Sequence, residues 1–333
     1  MKTYSYQDAP IRVFGVTDFE QKRRIQRLPD ALIEKIPRLE KLGRRCPGAR
    51  LGFRTDAKEI TVKITLETLS VDAGMSIYAC QSAAVFAGER PHSRFLGLVK
   101  PSDYEQKTFE KTIKKDSVLE DMTIWLPRNE IIADIEISVS DDAVMLPPTP
   151  YKHAKPILYY GSSITEGGCC ESIMNGYNAI ISRHLDVDYY NFGFSGNARG
   201  DLNMAKYIAG IDMSIFVYDY DHNAPTVEHL KKTHEPFFKV IREQNPDLPI
   251  VMMTRPAITY SKDHRERRDV VRETYESALR AGDKNVYFID GETLFGDTDR
   301  ELCTVDLIHP NDLGFAKMAS VVEPVIKQIL EKN

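Results

Sequence analysis

Hydrophobic and polar residues alternate with a period of two through much of the first 150 residues. In the clearest case, Ile60, Val62, Ile64 and Leu66 would share one face of a strand, with polar residues on the other face. The other candidate strands are Met75 to Ala79, Phe95 to Val99, Met122 to Leu126 and Ile135 to Val139. Many short strands joined by polar turns predict an antiparallel β-sandwich. Residues 18–43 differ, because leucines and isoleucines recur there at helical spacing and indicate a short helix or ordered arm.

The pattern changes at the proline-rich segment 147–150, which is typical of a stiff connector. Five strand-like runs follow, at residues 156–160, 187–192, 213–220, 249–254 and 285–290, and helix-like stretches separate them. This alternation predicts a doubly wound parallel sheet of five strands. Pro324 is expected to kink or interrupt the last helix. We therefore expect two domains, a β-sandwich over residues 1–150 and an α/β domain over residues 151–333.

Composition narrows the classes of function. The 333 residues are 42% hydrophobic, enough for two domains each with its own core. A net charge of -5 gives no basic field for nucleic acid. Neither a secretory leader nor a membrane-spanning run is recognisable, so a cytoplasmic protein without a membrane partner is expected. The five cysteines follow no metal-binding or disulfide spacing and are expected to be reduced.

The candidate chemistry begins with Ser163, which follows the first strand of the second half in the segment Tyr-Tyr-Gly-Ser-Ser. A serine hydroxyl needs a base within hydrogen-bond reach to act as a nucleophile. His309 is the best candidate among eight histidines, since Asp306 stands three residues earlier and could orient its ring. A surface histidine before a helix is the alternative for His309 alone. Taken together, the three residues predict a nucleophilic hydrolase.

Two further segments follow predicted strands and could bind a developing oxyanion. Gly196 lies in a glycine-rich turn whose backbone N–H groups could face a small ligand, and Asn223 could donate its side-chain amide. An ordinary turn and a helix cap, respectively, are the alternatives for these two residues. His222 is a rival base, but no acid stands at a matching local spacing, so we expect it to be a pocket-wall residue at most.

These segments together resemble the SGNH (GDSL-type) hydrolase family over roughly residues 155–331. Its serine block usually reads Gly-Asp-Ser, where this chain has Gly161, Ser162 and Ser163. The resemblance implies a flavodoxin-like sheet, Ser163, His309 and Asp306 as catalytic residues, and an oxyanion hole formed by Ser163, Gly196 and Asn223. The third block keeps only its asparagine, while the Asp-x-x-His block is intact.

A sandwich ahead of such a domain resembles, in architecture, the two-domain carbohydrate acetylesterases, whose front domain is jelly-roll-like. The resemblance implies a serine esterase that hydrolyses short acyl esters, O-acetyl above all, on an oligosaccharide, without a metal or organic cofactor. A lipase or thioesterase of the same family, or a catalytically weak carbohydrate-binding protein, are the alternatives. Trp125, the only tryptophan, lies in an alternating segment and is expected in the core. Whether the protein forms homo-oligomers is left open.

Overall fold

The alternating first half folds into two antiparallel sheets that face each other. The computed structural model describes residues 1–70, 72 and 74–332. The strands of this half are β1 (Lys2–Ser5), β2 (Arg12–Phe14), β3 (Arg50–Thr55), β4 (Glu59–Leu66), β5 (Ala83–Ala87), β6 (Arg94–Val99), β7 (Thr108–Lys114), β8 (Glu120–Trp125), β9 (Ile132–Val139) and β10 (Met145–Leu146). One sheet has the order β1-β9-β4-β7, and the other has β10-β3-β8-β5-β6, with β2 paired to β3. The predicted sandwich is confirmed.

The sandwich core follows the sequence pattern. Ile60, Val62 and Ile64 of β4 are fully buried, whereas the residues between them are half-buried on the other face. They share one cluster with residues of the facing sheet, such as Leu51 and Phe53 of β3. Burial of alternate side chains is what a two-sheet core requires of each strand.

The strand predicted over Met75 to Ala79 is wrong, because the structure has a short helix at Ile77–Cys80. Ala79 and Cys80 are both buried, although a strand would point neighbouring side chains to opposite faces. Three apolar positions in five residues are too few to separate the two periods.

The segment predicted as a short helix or arm contains three short α-helices. They are α1 (Phe19–Lys22), α2 (Asp30–Lys35) and α3 (Glu40–Arg44), with a 3-10 turn at Pro37–Leu39, and the helix at Ile77–Cys80 is α4. Leu28, Leu32 and Leu39 are buried in the same cluster as Phe192 and Phe194 of the second half. The arm therefore packs on the α/β part of the molecule, and the division of the chain at residue 150 stays a prediction.

The second half forms a five-stranded parallel sheet between helices. Its strands are β11 (His153–Gly161), β12 (Val187–Gly193), β13 (Ile215–Asp219), β14 (Ile250–Met253) and β15 (Val286–Ile289). The helices are α5 (Ser163–Glu166), α6 (Tyr177–Leu185), α7 (Leu202–Ala209), α8 (Val227–Gln244), α9 (Lys262–Arg280) and α10 (Asp312–Leu330). The strand order β12-β11-β13-β14-β15 is the doubly wound, flavodoxin-like order. The predicted fold class is confirmed.

Helix α10 continues through Pro324, so the expected interruption is wrong. Val322 and Ile326, on either side of the proline, are fully buried against the sheet. Packing of this apolar stripe outweighs the loss of one backbone hydrogen bond. Among the described residues, no helix is both long and apolar enough to cross a bilayer. All five cysteines are free in the structure, and their reduced state stays a prediction.

Arg50 ties the sandwich to the α/β half. Its guanidinium is fully buried, pairs with Asp188 of β12, and lies 4.8 Å from the ring centroid of Trp125 and 4.7 Å from that of Tyr189. Trp125 is 3% exposed, so its predicted place in the core is confirmed, and it belongs to a cluster made largely of second-half residues. The two halves therefore share a core with a buried ion pair at its edge.

Replacing Arg50 should destabilise the whole protein. We expect Arg50→Gln to lower the free energy of unfolding by about 3–5 kcal/mol, because it leaves the Asp188 carboxylate without its cation. Lys63→Gln removes a partly exposed pair with Glu136 and should lower the free energy of unfolding far less, because solvent screens that pair. Urea unfolding followed by circular dichroism measures both changes. Equal losses in the two variants would contradict the structural role given to Arg50.

Candidate active site

The segments after β11, β12 and β13 meet at the carboxyl edge of the parallel sheet. In the sheet register, Gly161 stands beside both Gly193 and Asp219, the last residues of the flanking strands. Helix α5 begins at Ser163, and Ser162 caps it by accepting a hydrogen bond from the Ile164 amide at 3.1 Å. Ser163 is therefore held at the edge where open α/β sheets bind their ligands.

The three side chains predicted to be catalytic form a continuous hydrogen-bonded chain. Ser163 Oγ lies 2.9 Å from Nε2 of His309. Nδ1 of the same ring lies 2.7 Å from Oδ2 of Asp306. The sequence separates the serine from the other two by more than 140 residues, and the fold brings them together. A hydroxyl, an imidazole and a carboxylate in this order can generate a nucleophile.

The Asp306 carboxylate is fixed by its own loop. Its Oδ1 accepts hydrogen bonds from the amides of Ile308 at 3.0 Å and His309 at 2.7 Å. Partial burial alone would raise the pKa of Asp306, but these amides and the His309 ring outweigh it, so the pKa is lowered and the carboxylate stays ionised. Leu307 adopts a left-handed backbone, φ 70°, to close this turn.

The residues predicted to bind an oxyanion lie in the same cavity as Ser163. Gly196 has φ +68°, a conformation that favours glycine. The side-chain oxygen of Asn223 accepts a hydrogen bond from the Ala198 amide at 3.3 Å. Its NH₂ group is therefore left as a donor on the cavity side. The structure brings all five predicted site residues to one place.

A buried ion pair missed by the sequence analysis supports this site. Arg27, in the arm, is fully buried and lies 3.4 Å from Glu166 at the end of α5. Glu166 in turn accepts hydrogen bonds from the amide and hydroxyl of Ser195, beside Gly196. Burial alone would raise the pKa of Glu166, but its cationic and hydrogen-bonded neighbours outweigh it and lower it. No local spacing in the sequence distinguishes Arg27 from the surface cations near it.

Glycine is required where the helix lies on strand β12. A Cβ atom on Gly193 would stand 2.1 Å from the backbone nitrogen of Glu166. Arg27 also donates to the Gly193 carbonyl. The close approach brings the segment that carries Ser163 against the segment that carries Gly196, so the two are positioned by one contact.

Two buried acids lie at and just after the end of β13, the strand that pairs with β11. Burial raises the pKa of Asp219 well above its usual value, although Thr165 and Tyr177 donate hydrogen bonds to it. Burial also raises the pKa of Asp221 to about 7. His222 lies 3.5 Å from Asp221, and burial lowers the pKa of His222 to about 2, so its ring is neutral. His222 lines the cavity wall, which is the role that the sequence analysis allowed it.

The cavity around Ser163 has a volume of about 490 Å³ and is lined by residues of both halves. Asp72, Met75 and Arg128 come from the first half, and Arg255 follows β14. The sequence analysis did not assign any of these four to the site. Across residues 1–70, 72 and 74–332, no group of three or more histidines, cysteines and acids is arranged to hold a metal ion.

The chain belongs to the GDSL-like lipase/acylhydrolase family, whose model matches residues 154–327. Residues 1–145 match a second model, described as the N-terminus of SGNH-hydro-type esterases. The resemblance predicted from the sequence is thereby confirmed for both halves. Membership of this family makes the protein a carboxylic ester hydrolase, as predicted. No protein of curated function matches the sequence significantly.

Solved structures share the whole architecture. A structure from Bacteroides ovatus, described as a GDSL-like lipase, is 26% identical with a TM-score of 0.88, and the match covers 99% of this chain and 98% of that one. The salicylyl-acyltransferase SsfX3 of a tetracycline biosynthetic pathway is 17% identical, with a TM-score of 0.80 and coverage of 98% and 97%. A family two carbohydrate esterase from Clostridium thermocellum, solved with cellohexaose, is 16% identical, with a TM-score of 0.64 and coverage of 86% and 93%. The last two likenesses concern the fold.

The raised pKa of Asp219 has a measurable consequence for stability. In the unfolded chain this carboxyl ionises near its usual pKa of about 3.9, while the folded protein retains the proton to a higher pH. The folded state therefore binds more protons, and the free energy of unfolding falls as pH rises, by about 1.4 kcal/mol per pH unit. We expect this fall of stability, above the unfolded-state pKa of about 3.9, to be smaller in Asp219→Asn than in the wild type, while Asp221 still contributes. Denaturant unfolding at several pH values measures it.

The matched control is Asp141→Asn, because the Asp141 side chain is 80% exposed. Its pH dependence of stability should follow that of the wild type. A slope in Asp219→Asn identical to the wild-type slope would show that Asp219 is ionised in the folded protein.

Proposed function

We propose that the protein is a serine esterase that removes short acyl groups, acetyl above all, from carbohydrates. The observation that carries the proposal is the hydrogen-bonded chain from Ser163 through His309 to Asp306, with distances of 2.9 Å and 2.7 Å. Both distances are those of good hydrogen bonds, so proton transfer along the first needs little rearrangement.

In the proposed mechanism, Ser163 Oγ attacks the ester carbonyl while Nε2 of His309 takes its proton. The carboxylate of Asp306 holds Nδ1–H and stabilises the imidazolium that forms. The tetrahedral intermediate collapses to an acyl-enzyme as His309 returns the proton to the departing alcohol. Water then attacks the acyl-enzyme with the same histidine as base, and Ser163 is regenerated.

The negative oxygen of the intermediate needs donors fixed before the reaction. We assign this role to the backbone N–H groups of Ser163 and Gly196 and to the side-chain NH₂ of Asn223. The hydrogen bond from Ala198 to Asn223 supports the assignment, because it orients the amide of the asparagine. Donors held in place in this way do not have to reorganise as charge develops.

The carbohydrate part of the proposal is supported by the two-domain architecture. The same fold occurs in the carbohydrate esterase from Clostridium thermocellum that was solved with cellohexaose. One wall of the cavity comes from the first half, through Met75 and Arg128. Because Met75 and Arg128 form this wall, the first half can contact the alcohol part of a substrate as well as its acyl group.

A lipase or thioesterase is the second candidate, and a specific feature favours it. Apolar side chains are exposed along the loop that carries His309, with Leu307 74% and Val305 53% exposed. Ile308, also part-exposed, lines the cavity. Such a rim could bind a longer acyl chain. Rates on p-nitrophenyl esters from acetate to decanoate separate the candidates: kcat/KM should fall with chain length for the proposed acetylesterase and rise for a lipase.

Removal of the nucleophile tests the proposed mechanism. We expect Ser163→Ala and His309→Ala each to lower kcat on p-nitrophenyl acetate by about 10⁴-fold or more, and their combination to cost little beyond either. Ser320→Ala, at an exposed position of α10, serves as the matched control and should retain full activity. Equal rates for Ser163→Ala and wild type would contradict the proposal, and so would an inactive wild type, which would favour a carbohydrate-binding protein.

The oxyanion assignment has its own test. Asn223→Ala should lower kcat by about 10²–10³-fold with little change in KM, since the amide contacts an oxygen that is negative only in the transition state. Asn285→Ala removes an asparagine at the opposite, amino edge of the sheet and should behave as wild type. A change confined to KM would show that Asn223 binds the ground state instead.

A further inference from the structure

Two arginines line the cavity that contains Ser163, one from each half of the molecule. Arg128 follows β8 of the sandwich, and Arg255 follows β14 of the parallel sheet. Neither takes part in the proposed proton transfer. An arginine stays charged at all physiological pH values, so each brings a full positive charge to the cavity.

Arg128 is buried without a carboxylate of its own. It is 3% exposed, its Nε has no hydrogen-bond partner among the described residues, and its Nη1 contacts the thioether sulfur of Met75. A thioether is a weak acceptor. In the described part of the chain, no carboxylate forms an ion pair with this guanidinium. A buried cation without an anionic partner destabilises the folded protein unless a bound ligand supplies the missing negative charge.

The nearest buried acids are already engaged. Glu130 accepts hydrogen bonds from Thr68 at 2.9 Å, from the Ser70 amide at 2.7 Å and from Gln81 at 3.2 Å. Glu166 is held by Arg27 and Ser195. Since these carboxylates are directed to other donors, Arg128 lines the cavity without an anionic partner, and its Nε is itself shielded from solvent.

Arg255 resembles Arg128 in its hydrogen bonding. Its Nη2 lies 2.7 Å from Nε2 of His264, and its Nε has no partner within the described residues. The neighbouring Asp221 has a pKa raised by burial to about 7, so it is only partly ionised at neutral pH. Asp72 also lines the cavity and is exposed, with Oδ1 accepting from the Gly74 amide at 3.1 Å. The residues that line the cavity thus include two arginines and one carboxylate, Asp72, while the Asp306 carboxylate is already engaged by His309.

We propose that Arg128 and Arg255 bind an anionic group on the substrate and select acylated sugars that carry one. The inference rests on the proposed esterase function. An acetyl group has no charge, so the anion must belong to the alcohol part. Guanidinium groups bind carboxylates and phosphates through paired hydrogen bonds, so the substrate class is acetylated uronic acids or acetylated sugar phosphates.

The kinetic test uses three methyl glucopyranosides that carry acetyl groups on their ring hydroxyls and differ only at C6. One has the neutral hydroxymethyl group, one a carboxylate and one a phosphate. We expect the wild type to hydrolyse at least one anionic sugar with a kcat/KM at least tenfold above that of the neutral sugar. The anionic sugar with the higher kcat/KM shows whether the enzyme prefers a carboxylate or a phosphate. Equal values for the three sugars would overturn the inference while leaving the esterase proposal intact.

Variants connect the preference to the arginines. Arg128→Gln and Arg255→Gln should each lower the anionic-to-neutral ratio of kcat/KM at least fivefold, and Arg128→Lys should retain part of it because the charge remains. The ratio is independent of any general loss of activity. Arg12→Gln, at an exposed position of the sandwich, is the control and should keep the wild-type ratio. An unchanged ratio in both glutamine variants would overturn the assignment.

A binding experiment separates failure of the inference from failure of the proposed function. Titration calorimetry of Ser163→Ala with the same three sugars measures affinity without hydrolysis. Tighter binding of an anionic sugar, by at least tenfold, supports the inference even if the wild type hydrolyses none of the esters, an outcome that would defeat the esterase proposal alone. Equal affinities for neutral and anionic sugars would overturn the inference. Circular dichroism of Arg128→Gln establishes that the variant folds, and Arg128→Lys and Arg255→Gln carry the test if it does not.

Discussion

The buried ion pair between Arg27 and Glu166 is the interaction on which the active site depends. Glu166 ends the short helix that begins with Ser163, and Arg27 lies in an arm distant in sequence. The guanidinium donates to the carbonyls of Leu42 in the arm and Asn191 in strand β12, while the carboxylate accepts from Ser195. Loss of either charge would leave the other buried and unpaired, at a cost of about 3–5 kcal/mol. The pair thus sets the position of Ser163 relative to the Gly196 turn.

The two halves of the chain supply different parts of this site. The loops of the parallel sheet supply the side chains that could react, as is usual at the carboxyl edge of such sheets. The first half supplies the arm that fixes those loops and, through Met75 and Arg128, part of the cavity wall. A shared apolar cluster and the Arg50–Asp188 pair hold the halves together. The sandwich is therefore a structural component of the site, and the α/β half alone would lack one wall.

The sequence predicts those features whose physical cause is local. The strand β4 can be predicted from its alternation, because every second side chain enters a two-sheet core. The pairing of Asp306 with His309 can be predicted because only three residues separate them in the chain. The five residues Met75–Ala79 are too few to distinguish a strand from a helix by periodicity. The backbone of Pro324 predicts an interruption of α10, but packing of the helix against the sheet keeps it continuous. Arg27, Arg128 and Arg255 could not be found from the sequence, since burial of a charge depends on residues that only the tertiary fold brings near.

Ser162 shows how a departure from the family pattern fits the rest of the site. The GDSL pattern has an aspartate at this position, and Ser162 retains one function of such a side chain by accepting the hydrogen bond of the Ile164 amide at the start of α5. A hydroxyl caps the helix without adding a negative charge. Because Ser162 lines the same cavity as Arg128 and Arg255, the missing carboxylate leaves their positive charge less compensated. Ser162 therefore keeps the helix cap beside Ser163 without placing a carboxylate in the cavity, which is what the proposed binding of an anionic group requires.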